Sequence, residues 1–205
     1  MLDHANSAGG RTWRAAIAVL AAVVLMPAAA AADCGNVAQA KPTKDVSLGR
    51  APLAIGDSPM LLALPNLADR GFRANARGCR QWTEGLGVIR DLKRKDHLPK
   101  LVIVALGSNG SVTKGDIHKA LELLGKKRIL GLVTPRELGG GAGHDAALVR
   151  SEAHKHKRIR LLDWVKYSSG HSGWFQPDGL HLTFDGAEAM ARLFSGLLHL
   201  LPNPH

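Results

Sequence analysis

Cysteine is scarce in this 205-residue chain: Cys34 and Cys79 are the only two. Two thiols exclude a four-cysteine zinc site and a disulfide-dense scaffold alike. Aromatic side chains make up only 4% of the sequence, which argues against a nucleic-acid surface built on base stacking. Acidic residues number 17 against 27 lysines and arginines, leaving a formal charge of +10. No apolar run exceeds twelve residues (Ala15–Met26), whereas a helix needs about 20 to span a bilayer. With 45% apolar and 21% charged residues, the composition is that of one basic globular domain large enough for its own core.

The first thirty-two residues read as an address rather than as part of that domain. Arg11 and Arg14 precede AAIAVLAAVVLM, and Pro27 opens a small-residue tract that ends at Ala32. A cationic start, a short apolar run and an A-x-A end describe a secretory signal peptide over residues 1–32. Retention as a membrane anchor is the alternative, and the short run speaks against it. A lipoprotein is not expected, because Asp33 stands immediately before Cys34, where a small residue belongs. Residues 33–50 then form an N-terminal arm and 51–205 the domain. Export to a secreted, periplasmic or wall-associated destination would let Cys34 and Cys79 oxidise to a disulfide. The bridge would close a loop of about 45 residues and stabilise by roughly 3–4 kcal/mol; two buried thiols are the rival reading. Two basic residues and one acidic residue fall in the leader, so the remainder stays near +9. Such a charge favours anionic surroundings such as wall polymers or lipid headgroups, or is simply a solvated surface.

Along the domain, strand-like and helix-like patterns alternate. Ala51–Ile55 reads as a short buried strand that breaks at Gly56-Asp57-Ser58. A helix is expected from Met60 to Leu67, a weak strand over Phe72–Ala76 and a helix from Gln81 to Lys95. LVIVAL, Leu101–Leu106, lies between Pro99-Lys100 and Gly107-Ser108 and is the clearest strand. Thr113–Lys126 carries Ile117, Leu121 and Leu124 at helical spacing. A strand at Ile129–Val133, a flexible loop at Gly139–Gly143, a helix over Asp145–His156 and a strand at Ile159–Leu162 follow. The last helix, Asp185–Leu198, has Met190, Leu193, Phe194 and Leu197 as its apolar stripe. This alternation predicts an α/β fold, a parallel sheet with helices on both faces.

In such sheets ligands bind at the carboxyl ends of the strands. Three polar blocks fall there: Gly56-Asp57-Ser58, Gly107-Ser108-Asn109 and Asp178-Gly179-Leu180-His181. Ser58 becomes a nucleophile only if a base removes its proton. His181 can do so if a carboxylate holds its other ring nitrogen. Asp178, three residues earlier and behind Pro177, shares a face with His181 on a turn but not on a strand. A capping role for Asp178 with a plain surface His181 is the competing reading. Asn109 can offer its side-chain amide to a developing oxyanion, and backbone N–H groups near Ser58 and Gly78 can offer more.

Taken in order, Gly56-Asp57-Ser58, Gly78, Gly107-Ser108-Asn109 and Asp178-Gly179-Leu180-His181 resemble the four blocks of the SGNH (GDSL-type) hydrolases. The resemblance covers Pro52 to Leu198. A closer likeness, to the extracellular SGNH domain of bacterial peptidoglycan O-acetyltransferases, rests on IGDSPM, NARGCRQW, LVIVALGSNG, LLDW and WFQPDGLHLTFDGAEAMA. The resemblance implies a flavodoxin-like three-layer α/β/α fold and serine ester chemistry without metal or cofactor. By position it implies Ser58 as nucleophile, His181 as base and Asp178 as its partner. It also implies an oxyanion hole from Asn109 and the N–H groups of Ser58 and Gly78. In the second block, Asn75 stands where relatives often carry an acidic residue and the small residue comes one place later. Either Gly78 or Cys79 can therefore supply the N–H. A Cys34–Cys79 bridge would pin this loop to the N-terminal arm.

Other motifs fail on spacing. Gly107-Ser108-Asn109-Gly110 is one residue short of a G-x-S-x-G elbow, and Val112-Thr113 stand where a P-loop needs Gly-Lys. Gly139–Gly143 lacks G-x-G-x-x-G. His154 and His156 are two apart, so a helix points them away from a common metal, and no metal is expected. The expected function is an exported esterase that removes a short acyl group, O-acetyl above all, from a cell-wall or other carbohydrate. One alternative is an acyltransferase fed by a separate membrane partner, since the sequence carries no multi-span membrane stretch. Another is a non-catalytic wall-binding module. Asp57, Tyr167, His171 and Trp174 are candidates for substrate contact, the last three with loop packing as the rival role. The chain is expected to act as a monomer, without nucleic acid.

Overall fold

The alternation of apolar residues in LVIVA becomes the centre of a sheet whose two faces are both covered. The computed structural model describes residues 34–46 and 48–200; the expected leader, 1–32, lies outside them. Six strands form one sheet: β1 (Ala38–Ala40), β2 (Leu53–Gly56), β3 (Arg73–Ala76), β4 (Leu101–Ala105), β5 (Ile129–Val133) and β6 (Ile159–Leu162). Their order is β1-β3-β2-β4-β5-β6. The β1 strand runs antiparallel to β3, and all other neighbours are parallel. Without β1 this is the flavodoxin-like order, which reverses direction between the two central strands β2 and β4.

Along β4, Leu101, Ile103 and Ala105 enter one apolar cluster while Val102 and Val104 enter the other. That is the period of two expected of a strand buried on both sides. The first cluster packs α1 (Leu64–Asp69) and α6 (Phe184–Ser195) through Leu64, Leu67, Met190 and Phe194. The second packs α2 (Trp82–Arg94), α3 (Lys114–Leu124) and α4 (His144–Lys155) through Ile89, Ile117 and Val149. The result is the three-layer α/β/α architecture. Helix starts are sealed locally. Thr113 and Asp116 form a reciprocal capping box, and the Thr183 hydroxyl accepts the Gly186 N–H at 3.3 Å.

Three differences from the sequence reading have physical causes. The expected helix Met60–Leu67 divides into a 3₁₀ turn over Ser58–Ala63 and then α1. Pro65 has no N–H to donate, so a continuous α-helix would lose a bond where α1 instead begins. The arm contributes β1, an edge strand of three residues, Ala-Gln-Ala, too short for its alternation to betray it. A single helical turn, α5 (Trp164–Tyr167), is capped by Asp163, whose carboxylate accepts the Lys166 N–H at 3.1 Å. Among the described residues no helix is long and apolar enough to cross a membrane.

Candidate active site

Strand register builds the site. Gly56 lies opposite Ala76 on β3 and Ala105 on β4, so three loops leave the carboxyl edge side by side. Two residues on from Gly56 and Ala76 stand Ser58 and Gly78, and four on from Ala105 stands Asn109. This is the crevice where the strand order reverses. Gly107 makes the sharp exit from β4 with φ +129°, where a Cβ would meet Val112 at 2.8 Å and Pro135 at 2.9 Å.

The segment before α6 reaches the same edge. Gln176 N–H donates to the His181 carbonyl at 2.8 Å, closing a turn through Gly179 at φ +69°. One oxygen of Asp178, Oδ1, accepts the N–H groups of Leu180 and His181, each at 2.9 Å. The other, Oδ2, lies 2.6 Å from His181 Nδ1. An ionised carboxylate only accepts, so Nδ1 carries the proton and Nε2 presents its lone pair. The Ser58 hydroxyl donates to that Nε2 across 3.1 Å. Burial works against ionising Asp178, but His181 and the two N–H groups outweigh it and hold its pKa below the ordinary carboxylate value.

The neighbouring loops carry unclaimed donors. Asn109 Nδ2 is buried and has no hydrogen-bond partner among the described residues. Gly78 makes no hydrogen bond among the described residues. Arg80, fully buried, ties the loop down: its guanidinium donates to the carbonyls of Gly56 at 3.0 Å and Asn75 at 2.8 Å, and to Asn75 Oδ1 at 2.7 Å. Cys34 and Cys79 are bonded to each other, which joins the arm to the residue after Gly78.

No protein-family profile matches the chain. The O-acetyltransferase OatA of Staphylococcus aureus (strain NCTC 8325 / PS 47) is 32% identical over 151 residues, 69% of this chain and 24% of that protein. A solved structure, the C-terminal catalytic domain of Streptococcus pneumoniae peptidoglycan O-acetyltransferase A with a methylsulfonyl adduct, superposes with TM-score 0.64 at 25% identity. It covers 74% of this chain and 93% of that one. The chain belongs to the SGNH (GDSL-type) hydrolase family. A member of the lipolytic G-D-S-L family from Veillonella parvula shares the fold at TM-score 0.55 and 14% identity, over 73% of this chain and 98% of its own. The chain spans about a quarter of the length of the curated OatA relative.

Within this SGNH frame the other sequence candidates take distinct places. Asp57, a candidate for substrate contact, is buried, 2% exposed; its Oδ2 accepts the Ser108 N–H at 3.0 Å and ties the loop that carries Asn109 to the Ser58 loop. Burial pushes its pKa up to about 6, opposed by the Ser108 N–H and by the nearby Asn109 amide, which attracts it without a hydrogen bond of normal geometry. Trp174 stacks on Trp164 and on His171, the latter with ring centres 3.9 Å apart, and the Tyr167 ring lies tilted against Trp164 and Trp174. None of the three lines the groove of about 440 Å³ that holds Ser58 and His181.

That groove is walled by Pro59, Leu61, Leu62, Gln176 and Leu182, of which the sequence reading named none. Leu61 and Leu62 look like ordinary helix residues in sequence, and only the 3₁₀ turn leaves them half-buried beside the serine. Arg136 was also missed. It donates to the Gly179 carbonyl at 3.1 Å, the Ser168 hydroxyl at 3.0 Å and the Gly140 carbonyl at 3.1 Å, and it covers the Phe175 ring at 4.0 Å. It latches the glycine loop to the His181 turn, and a lone arginine gives no sequence signal of this. A larger cavity of 890 Å³ by Lys44, Asp69 and Arg70 carries none of these groups, so its size does not make it the reactive site.

Proposed function

We propose that the chain is a serine-dependent acyl-transfer enzyme acting on short O-acyl esters, O-acetyl above all, of a cell-wall carbohydrate. The unbroken hydrogen-bonded row from the Ser58 hydroxyl through His181 to Asp178 carries this reading. His181 Nε2 takes the Ser58 proton as Oγ bonds to the ester carbonyl carbon. The carbonyl electrons move onto oxygen, and the negative charge is met by Asn109 Nδ2 and the N–H groups of Ser58 and Gly78. Gly78 is preferred to Cys79 here because it has no other partner among the described residues. Asp178 stabilises the imidazolium. The sugar oxygen leaves with the proton from His181, and acyl-Ser58 remains.

Water activated by His181 then releases acetate, which is hydrolysis. A sugar hydroxyl in place of that water gives the second reading, acetyl transfer, which the names of the OatA relatives favour. An exported location agrees with the leader-like stretch 1–32 and with the Cys34–Cys79 disulfide, a bond that persists in oxidising compartments. The net basic charge suits an anionic wall.

The test is p-nitrophenyl acetate turnover with and without a glycan oligosaccharide, with mass spectrometry of both protein and sugar. Acetate release with a 42 Da adduct on Ser58 (about the mass of one acetyl group in place of hydrogen) supports the serine mechanism. Acetylated oligosaccharide identifies transfer. Glycan binding without turnover at any pH, and no serine adduct, would overturn the proposal in favour of a binding module.

A further inference from the structure

The expected helix over Asp145–His156 ends at Lys155, and His156 follows it in extended backbone, where the fold gives it other company than His154. Helices α3 and α4 pack side by side over one face of the sheet. There His118 of α3 meets Glu152 of α4 and His156, the residue that caps the end of α4. His118 Nε2 lies 3.0 Å and His156 Nε2 3.4 Å from the same oxygen, Glu152 Oε2. All three donor atoms fall within 4.8 Å of one another. The two rings stand edge to face with centres 5.1 Å apart.

These spacings resemble a coordination sphere. Four-coordinate zinc, with bonds near 2.0–2.1 Å, separates its donors by roughly 3.3–3.5 Å. Glu152 is a carboxylate only 2% exposed, while the His118 side chain is 53% and the His156 side chain 34% exposed. An ion can thus enter from solvent onto a fixed acceptor without opening the core. Lys155 donates to the other oxygen, Oε1, at 2.8 Å. It thereby leaves Oε2 to the histidines, the orienting role that an outer-shell partner plays around a metal. Its ammonium charge also opposes a dication and lowers the affinity.

We propose that His118, Glu152 and His156 form a binding site for a transition-metal dication of the Zn²⁺ class, with water in the fourth position. Two imidazoles and one carboxylate are a donor set that suits zinc and not magnesium, which demands oxygen ligands. Without the ion, each Nε2–H can donate to Oε2. With it, each imidazole keeps its proton on Nδ1 and turns the Nε2 lone pair to the metal. The ion would staple α3 to α4, at the end of α4 remote from the carboxyl edge that carries Ser58.

The experiment uses untagged full-length protein stripped with EDTA, titrated with ZnCl₂ and followed by calorimetry and thermal melting. One saturable Zn²⁺ per chain is expected. At a hundredfold excess over the Kd, Tm should rise by roughly 5–10 °C, with no rise in MgCl₂. His118→Ala and His156→Ala should each weaken binding by at least about tenfold, whereas His181→Ala should not. Each variant loses a hydrogen bond to the buried Glu152 carboxylate and so melts lower in metal-free buffer; its Zn²⁺ shift is read from that baseline, so that a lost shift reports the ion and not the fold. Should either alanine variant fail to fold, His118→Gln and His156→Gln take its place. Absence of a saturable site overturns the proposal. So does parent-like affinity in the His118 and His156 variants, or loss of binding only in His181→Ala.

Discussion

Asp57→Asn isolates the cost of burying a charge next to Ser58. Asp57 is 2% exposed, and burial raises its pKa from 3.8 to about 6. The folded protein therefore keeps a proton on this carboxyl across a pH window in which the unfolded chain has lost it. Between those two values the folded state binds more protons, so stability falls as pH rises and levels off above about 6. A shift of about 2 units at 1.36 kcal/mol each corresponds to about 3 kcal/mol. Asparagine cannot ionise, and its side-chain carbonyl can still accept the Ser108 N–H. Urea unfolding of both proteins with the disulfide intact, from pH 4 to 7, measures the difference directly. The stability of Asp57→Asn relative to the parent should climb by about 2 kcal/mol across that range, less than the full shift because pH 4 already lies above the unfolded value. A difference that stays constant within about 0.5 kcal/mol would refute the reasoning, because it would mean that Asp57 titrates alike in both states.

Other perturbations read the site itself. Ser58→Ala should abolish ester turnover and serine acylation while the melting temperature stays near that of the parent; a fully active Ser58→Ala would eliminate the mechanism. Asp178→Asn should lower kcat by about 10⁴-fold, since an amide no longer enforces the required tautomer; steady-state kinetics checks this. Asn109→Ala should cost roughly 10²- to 10³-fold in kcat with little change in KM, the signature of an oxyanion donor. Changing Cys34 and Cys79 to serine together should cost about 4 kcal/mol for a loop of 45 residues, seen as a lower urea midpoint.

Much of the fold was legible because it is written in short-range pattern. Leu101–Ala105, Ile129–Val133 and Ile159–Leu162 appear as strands within a residue of where the sequence reading set them, since an apolar run bounded by turn residues has few other uses in a sheet buried on both faces. The blocks of the candidate site were legible for a related reason. Ser58, Asn109 and Asp178-to-His181 each follow or interrupt such a pattern, and a polar block after a buried strand has nowhere to go but the carboxyl edge. Less visible were β1 and α5, each too short for a period to register, and the burial of Asp57, which depends on the β4 loop folding back over it.

Local order of residues along the chain thus decided which segments became strands, which became helices, and which polar groups fell at strand ends. Strand pairing decided the rest. The register that sets Gly56 beside Ala76 and Ala105 lets the loops that carry Ser58, Gly78 and Asn109 leave the sheet side by side. The hydrogen bond between Ser58 and His181 spans 123 residues of sequence. The meeting of His118 with Glu152 and His156 likewise requires two helices to share one face of the sheet. Distances of this kind depend on how separate elements pack, and packing is a property of the folded whole, to which no single segment of the chain responds alone.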